Sequence, residues 1–522
     1  MAFRCALSSF RDRSGGAWTR SLRPLPVDSG EYRQDSEIWK EIPRRRRSVC
    51  RFTKYLGRQV GAVNQNCRYE HAMRALVSGA STFFATRLIQ GFGARGVEVT
   101  AADSERFSVS KVSQYVKHRV RTPSLSRDPG GYLAAIVREL KVRHYDLVLP
   151  TFEESLLFSE FRSDIERHAP LILAPFDVMW TLHNKPSLGQ LCLDLGIPTP
   201  PTLVPSTPIG VEHQAAALRY PLVLKLPNAN NCVGRMYCEN EAELIEHYPR
   251  LFREQVEQGH SPPFIQQKID GDLIYTLMLC HQGKKIGEVI YRPLRTYPEN
   301  GGTSAHRESI QHPAISRITE RLASAVGWSG FLGLDFIVDR HDGTPYLIDA
   351  NPRSNPAVQL GFLAGVDWTG MLLDIVKGRS PEVAMAAPGV RQRTPLLDAA
   401  WLFDGFRPRR GWVQNVTRHV RDYWNPGWRL DSAHDFLGTS DWMCHVSLAS
   451  RSIAASLLSW VTGKSVAAIL MGDANYDPVT VEAFRQTRRQ RGPHWHLRPT
   501  DRSHAGKGSK QIAFDGDGPM LP

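Results

Sequence analysis

The run FLGLDFIVDRHDGTPYLIDANPR, residues 331–353, constrains the fold more tightly than any other stretch of this chain. Two apolar segments, FLGLDFIVD and TPYLIDANP, flank RHDG, in which Asp342-Gly343 is a strong hairpin turn signal. A hairpin closed there aligns Asp335 with Asp349. Residues two apart on a strand share a face, so Asp349, Asn351 and Arg353 project together from the end of the second arm. Each arm then presents a carboxylate. Taken alone, the polar end is explained equally well by Asx-turn chemistry and a surface ion pair, so the rest of the chain must decide.

Upstream, RALVSGAS at 74–81 reads as a short buried strand turning through Gly79. TFFATRLIQGFGARG follows as a helix and VEVTAAD, ending at Asp103, as a second strand. YDLVLP at 145–150, which runs into TFEES, and LILAP at 171–175 repeat the pattern of an apolar run stopped by proline. Together they predict an open parallel sheet over about residues 71–175. A single Gly79 is no GxGxxG fingerprint, and no dinucleotide is assigned to it. After HNKPSLGQLCLDLGIPTPPT, a helix ended by Gly196 and prolines, YPLVLKLP (220–227), PFIQQKI (263–269) and LIYTLMLC (273–280) read as strands of a second domain that begins near residue 180.

From about residue 395, Trp401, Trp412, Trp424, Trp428, Trp442 and Trp460 supply half of the chain's twelve tryptophans, and the segment reads as a separate appendage. Within it Val446, Ala449, Ile453, Leu457 and Trp460 recur at helical spacing. The stripe is expected to pack in a core rather than to lie in a membrane interface, because Arg451 is its polar face's cation.

A net charge of +13 over 522 residues first suggests nucleic acid, but its location argues otherwise. Residues 1–70 carry 15 Lys/Arg and 7 Asp/Glu, residues 485–522 carry 8 and 3, and residues 71–484 carry 42 of each. The basic ends include RRRR at 44–47 and RRQR at 488–491 in Ser, Gly, Pro and Gln surroundings, the composition of solvated, disordered tails. No specific nucleic acid is implied, and weak contact with an anionic membrane is the alternative use of such tails. Cys5, Cys50, Cys67, Cys192, Cys232, Cys238, Cys280 and Cys444 show neither CxxC pairs nor regular spacing, which predicts a reducing, cytoplasmic setting. The N-terminal MAFRCALSSFRDRSGG lacks a secretory apolar core, and no run of 18 apolar residues predicts a membrane span.

Two carboxylates on neighbouring strands, followed by an amide, form an oxygen-only donor set suited to a hard cation such as Mg2+. Lys225 emerges from the apolar run PLVLKLP, where an unpaired lysine is costly and a phosphate is its natural partner.

The ordered series NK (184–185), VLK (223–225), FIQQKIDGD (264–272), GLDFIVD and YLIDANPR resembles the ATP-grasp superfamily over roughly residues 71–370. It is most similar to carboligase-like members related to the carbamoyl-phosphate synthetase large subunit. YRPLRTYPENGGTSAHRES at 291–309 looks like that subgroup's glycine-containing loop. The resemblance implies an α/β chain with an N-terminal open parallel sheet (pre-ATP-grasp, 71–179) and a two-part ATP-grasp domain (180–380). A helical Trp-rich appendage (395–484) and basic extensions at 1–70 and 485–522 complete this expected organisation.

It further implies that Lys185 and Lys225 contact ATP phosphates, that Gln266, Gln267, Lys268 and Ile269 form the strand meeting adenine, and that Asp272 reaches the ribose. Asp335, Asp349 and Asn351 would hold Mg2+, with Mn2+ as a substitute, and Arg353 would steady the transferred phosphoryl group. Arg292, Arg295 and Arg307 would bring positive charge to the substrate or acyl phosphate. The expected activity is an ADP-forming carboxylate-amine (or thiol) ligase with an acyl-phosphate intermediate. Small-molecule carboxylate and amine substrates are its partners, and a homo-oligomer is left open. The alternatives are a carboxyphosphate-forming enzyme and a silent ATP-binding module. Two departures from the family bear on this: LPNANNCVGR has Gly234 alone where relatives have several glycines, and Asp349 stands where they commonly have glutamate.

Overall fold

The computed structural model describes residues 72–105, 108–229, 234–297, 302–406, 412–424, 432–434, 441–462, 469 and 474–491. All of them fall within one unit, residues 55–522. The expected N-terminal extension, and the basic end beyond residue 491, lie outside the described residues.

The first sheet is parallel, in the order β3 (Val116–Arg121), β2 (Glu98–Asp103), β1 (Arg74–Ser78), β4 (Leu147–Leu149). Leu171 extends it through a parallel bridge to Val148. The helix Phe83–Gly93 begins where Thr82 accepts a hydrogen bond from the Ala85 amide, satisfying one of the amides a helix start leaves open. Neither β3 nor the helix Pro129–Val142 is among the elements expected above: β3 reads VKHRVR and is largely exposed as an edge strand, while the helix carries Tyr132, Leu133, Ile136, Val137 and Leu140 on a buried face.

A small antiparallel sheet follows, ordered β5 (Thr202–Leu203), β8 (Phe264–Gln267), β6 (Leu222–Lys225), β7 (Met236–Cys238). It has its own core, in which Leu222, Leu224 and Ile265 meet Leu244, Tyr248 and Leu251 of the helix Glu241–Glu257. Residues 268–270 then lead directly into the third sheet.

That sheet has eight strands. Its path is β13 (Pro345–Asn351), β12 (Gly330–Asp339), β9 (Gly271–His281), β10 (Lys284–Tyr297), β11 (Thr303–Ile310), β15 (Arg391–Arg393), β16 (Ser432–His434), with β14 (Ala384–Met385) beside β10. One face, through Leu277, Leu279 and Val289, joins the core of the helix Phe83–Gly93; the other, through Met278 and Leu332, joins that of the helix Pro313–Ala325.

Three expectations need correction. Residues 291–297 and 303–309 are not a loop: they belong to the long antiparallel pair β10 and β11, and 298–301 lie outside the described residues. The region after 395, expected to be a C-terminal appendage, contributes β16 to the large sheet, and its helix Pro478–Arg491 reaches the first domain, where Arg485 pairs with Glu160. That helix also takes in the first residues of the segment expected to be a disordered tail. Finally, Val446, Ile453 and Leu457 of the helix Trp442–Thr462 are exposed rather than core, at 54%, 58% and 60%, while the side chains of Ala449 and Trp460 lie outside the described residues. Among the described residues no helix is long and apolar enough to cross a membrane.

Candidate active site

The hairpin at 330–351 sets the frame. Gly343 takes positive φ (72°), and its amide bonds to the Asp339 carbonyl at 3.0 Å, closing the turn. The register that results puts Asp335 directly opposite Asp349, and Gly333 opposite Asn351. Opposed residues of an antiparallel pair share a face and approach within about 5.5 Å at Cβ, so the two carboxylates repel. Burial and then Asp349 push the Asp335 carboxyl well above the usual carboxylate range, while Lys185, Arg353 and Lys225 pull it back. Five of the expected site residues thus sense one another.

Each cation is held by a different part of the fold. Lys185 opens the helix Lys185–Asp194 behind its N-cap Asn184, whose side-chain oxygen accepts from the Ser187 amide. The Lys185 ammonium lies 2.9 Å from the Ala229 carbonyl and 3.2 Å from Asp349 Oδ1. Lys225 ends β6 and donates to Gln266 Oε1 at 2.6 Å; Gln266 Nε2 donates in turn to Thr202 Oγ1 at 2.9 Å. Arg353 lies just beyond β13, its guanidinium 4.4 Å from the Phe152 ring centre and 3.6 Å from Glu153 Oε1. Nearby His183 is pushed down to about 3 by burial and by Lys185 and Arg353.

The strand meeting the small sheet to the large one is β8 and its exit. Gln266 is buried between β5 and β6, Gln267 accepts from the Arg219 amide, Lys268 is exposed with its ammonium 5.6 Å from the Tyr237 ring, and Ile269 is half-buried in the connection.

The cross-strand row that starts with Asp349 and Asp335 continues through Tyr275 and Tyr291, whose ring centres are 5.5 Å apart. Arg307 shares this face. It is fully buried, 5.7 Å from the Tyr291 ring centre, and donates to Thr394 Oγ1 at 2.9 Å and to the Ser304 carbonyl. Two expected residues are out of phase. Arg292, one residue from Tyr291, points from the opposite face and pairs with Glu308 at 2.6 Å. Asp272 falls three residues before Tyr275, hence also on the other face, is 74% exposed and pairs with Arg340 at 2.9 Å. Arg295 is buried against Asp398 and 4.0 Å from the Trp401 ring centre, tying the sheet to the helix Pro395–Asp404.

Sequence reasoning missed Tyr275, Tyr291 and Glu153. The tyrosines lie in apolar runs where they read as core; Glu153 carries one legible signal, an acid three residues past the end of the strand YDLVLP.

No family model matches the chain. The carbamoyl phosphate synthase large chain of Deinococcus radiodurans is 24% identical over 197 residues, covering 36% of this chain and 19% of that protein. The chain therefore aligns with about a fifth of that relative's length. Among solved structures, the biotin carboxylase domain of Hydrogenobacter thermophilus 2-oxoglutarate carboxylase, in complex with MgADP, ADP and bicarbonate, superposes with a TM-score of 0.51 at 18% identity. It covers 62% of this chain and 74% of that one. Campylobacter jejuni biotin carboxylase, solved with a β,γ-ATP compound, gives 0.52 at 16% identity over the same shares. The small sheet and the large sheet, preceded by the parallel one, share the ATP-grasp fold of these structures. The chain is related to the ATP-grasp proteins, among which these relatives stand.

Proposed function

We propose that this chain is an ATP-dependent, ADP-forming ligase that joins a carboxylate to an amine through an acyl phosphate. The observation that carries the reading is the opposed Asp335–Asp349 pair, with Lys185, Lys225 and Arg353 acting on it from three separate elements. A carboxylate oxygen attacks the γ-phosphorus of ATP, the bond to the β-phosphate oxygen breaks, and ADP leaves. The amine nitrogen then attacks the acyl carbon, expels inorganic phosphate and loses a proton. A thiol in place of the amine gives a thioester by the same steps.

Such a transfer needs neutralised charge and fixed geometry more than covalent help from the protein. Lys185 and Lys225 supply positive charge to the phosphates, and Arg353 to the phosphoryl group in flight. Gln266, Gln267, Lys268 and Ile269, where the small sheet joins the large one, form the edge for the base. Arg307, on the face of Asp335, is the arginine we assign to the substrate carboxylate, and Arg292 and Asp272 are omitted because they point from the other face.

The donors present fit a hard divalent cation. Asp335, Asp349 and Asn351 offer oxygen alone, and two carboxylates held against mutual repulsion are what such an ion relieves. Mg2+ held by these residues would supply charge neutralisation to the phosphates.

A second reading takes bicarbonate as the carboxylate, and is favoured by the similarity to a carbamoyl phosphate synthase chain and to a biotin carboxylase domain solved with bicarbonate. One assay separates the readings. Purified protein with MgATP is supplied with pooled carboxylates, with and without amines or thiols, and ADP is measured. Release that needs an acid and a nucleophile together supports the ligase; release stimulated by bicarbonate alone supports the second reading. Tight MgATP binding with silence throughout overturns both in favour of a binding module.

A further inference from the structure

Glu153 is a buried acid that the proposed chemistry leaves without a task. It follows β4 on the loop 150–153, is 2% exposed, and stands behind Arg353 rather than in the row of site carboxylates. Its Oε1 lies 3.6 Å from Arg353 Nη2, and its Oε2 accepts a 2.6 Å hydrogen bond from the Tyr476 amide. Burial pushes the Glu153 carboxyl up, and Arg353 and then the Tyr476 amide pull it back.

The surrounding contacts fix this loop against the segment that carries Arg353. Ser354 Oγ donates to the Thr151 carbonyl at 2.6 Å, and Ser155 Oγ to the Pro352 carbonyl at 3.4 Å. Phe152 lies against the guanidinium. Behind the loop, Tyr476 donates its hydroxyl to Glu160 at 3.0 Å, and the helix Pro478–Arg491 anchors itself through Arg485 on Glu160 and Arg488 on Asp164. An arginine has several rotatable bonds and loses side-chain entropy when fixed, so a charged anchor of this kind decides where its fork points.

We propose that Glu153 is the positioning residue of Arg353, aiming its guanidinium at the phosphoryl group, and that the C-terminal segment beginning at Tyr476 holds Glu153 for that purpose. The inference rests on the assignment of Arg353 under the proposed function, and goes beyond it by making the far end of the chain part of the phosphate-binding frame.

Glu153→Gln separates the two contacts, since an amide oxygen still accepts from the Tyr476 amide while the negative charge beside Arg353 is gone. The test is a double-mutant cycle of Glu153→Gln and Arg353→Ala, read as affinity for MgAMPPNP by calorimetry, with thermal unfolding of each variant alongside. Glu153→Gln is expected to weaken binding about five- to tenfold, and the double variant to bind no more weakly than Arg353→Ala alone. A structural role would move the melting temperature and make the two losses multiply, and that result overturns the proposal. So does an unchanged affinity in Glu153→Gln. If that variant does not fold, Tyr476→Pro removes the amide donor from the other oxygen, and its loss of affinity must likewise vanish in the Arg353→Ala background. Wild-type protein that binds MgAMPPNP but never releases ADP removes the ligase reading and leaves this cycle decisive. Wild-type protein that binds no nucleotide overturns both.

Discussion

The ammonium of Lys185 stands 3.2 Å from Oδ1 of Asp349, so a proposed phosphate ligand and a proposed metal ligand hold each other. A divalent cation has to take Asp349 from the lysine, and a triphosphate that draws the lysine away assists that exchange. Lys185→Met is therefore expected to bind Mn2+ alone several-fold more tightly than wild type, and MgATP about tenfold more weakly. Paramagnetic resonance titration and calorimetry check the pair of effects; weaker Mn2+ binding in the variant rules the exchange out.

Asp349 carries one methylene fewer than glutamate. Asp349→Ala is expected to cost about a hundredfold or more in MgATP turnover, with a melting temperature within about 3 °C of wild type, because a half-buried carboxylate at a strand end is not packing the core. Asp349→Glu should retain turnover if the extra reach is accommodated. ADP release and thermal unfolding measure both, and undiminished activity in Asp349→Ala removes this residue from the metal site.

The raised carboxyl of Asp335 gives a pH signature. A group that binds its proton more tightly in the folded state stabilises the fold at low pH, and the contribution is lost as pH climbs from the ordinary carboxylate range through the raised value. Metal-free protein is expected to lose more thermal stability between about pH 5 and 8 than Asp335→Asn does, and saturating Mg2+ should cancel the difference. Parallel melting curves across that range decide it; identical slopes for the two proteins would falsify the assignment.

Lys225, Gln266 and Thr202 form a chain of two hydrogen bonds of 2.6 and 2.9 Å. Lys225→Ala is expected to weaken ATP binding about tenfold, about 1.4 kcal/mol, whereas Thr202→Val, which frees the Gln266 amide and the Pro200 carbonyl without touching Lys225, should cost about twofold. Equal losses in the two variants would show that the lysine acts through the strand and not on phosphate.

Ile453 and Leu457 project from the helix Trp442–Thr462 at 58% and 60% exposure. Replacing both with serine should leave unfolding free energy within about 0.5 kcal/mol per site, as surface positions do. A loss of several kcal/mol in denaturant titration would return these residues to a core.

The hairpin was legible in the sequence because period-two alternation and an Asp-Gly turn together fix a register, and register alone brings Asp335 to Asp349. β10 and β11 were not legible for the converse reason. His306, Arg307 and Ser309 are fully buried there, and Arg307 reaches Thr394, 87 positions along the chain; a polar run with glycines at 301–302 looks like a surface loop until those distant partners are in place. The same difficulty hid the phase of Arg292 and Asp272. Each is one face away from the site, a distinction that depends on which neighbouring residue pairs across the ladder. In the helix Trp442–Thr462 the spacing was read correctly as helical, but periodicity says which residues share a face and not whether anything covers it.

The return of the helix Pro478–Arg491 to the first domain has a consequence for how the protein is made. Glu153, Glu160 and Asp164 meet their C-terminal partners across 323 to 325 positions. A nascent chain can pair β1 with β2 early, yet those acids find the Tyr476 amide, Arg485 and Arg488 only after more than 300 further residues have left the ribosome. Closing a loop of that size late makes the final docking of this helix a slow step with high contact order. Assembly of the proposed phosphate site is thereby delayed until the chain has grown past residue 488, and a chain released before that point would expose an unfinished site to chaperones and proteases.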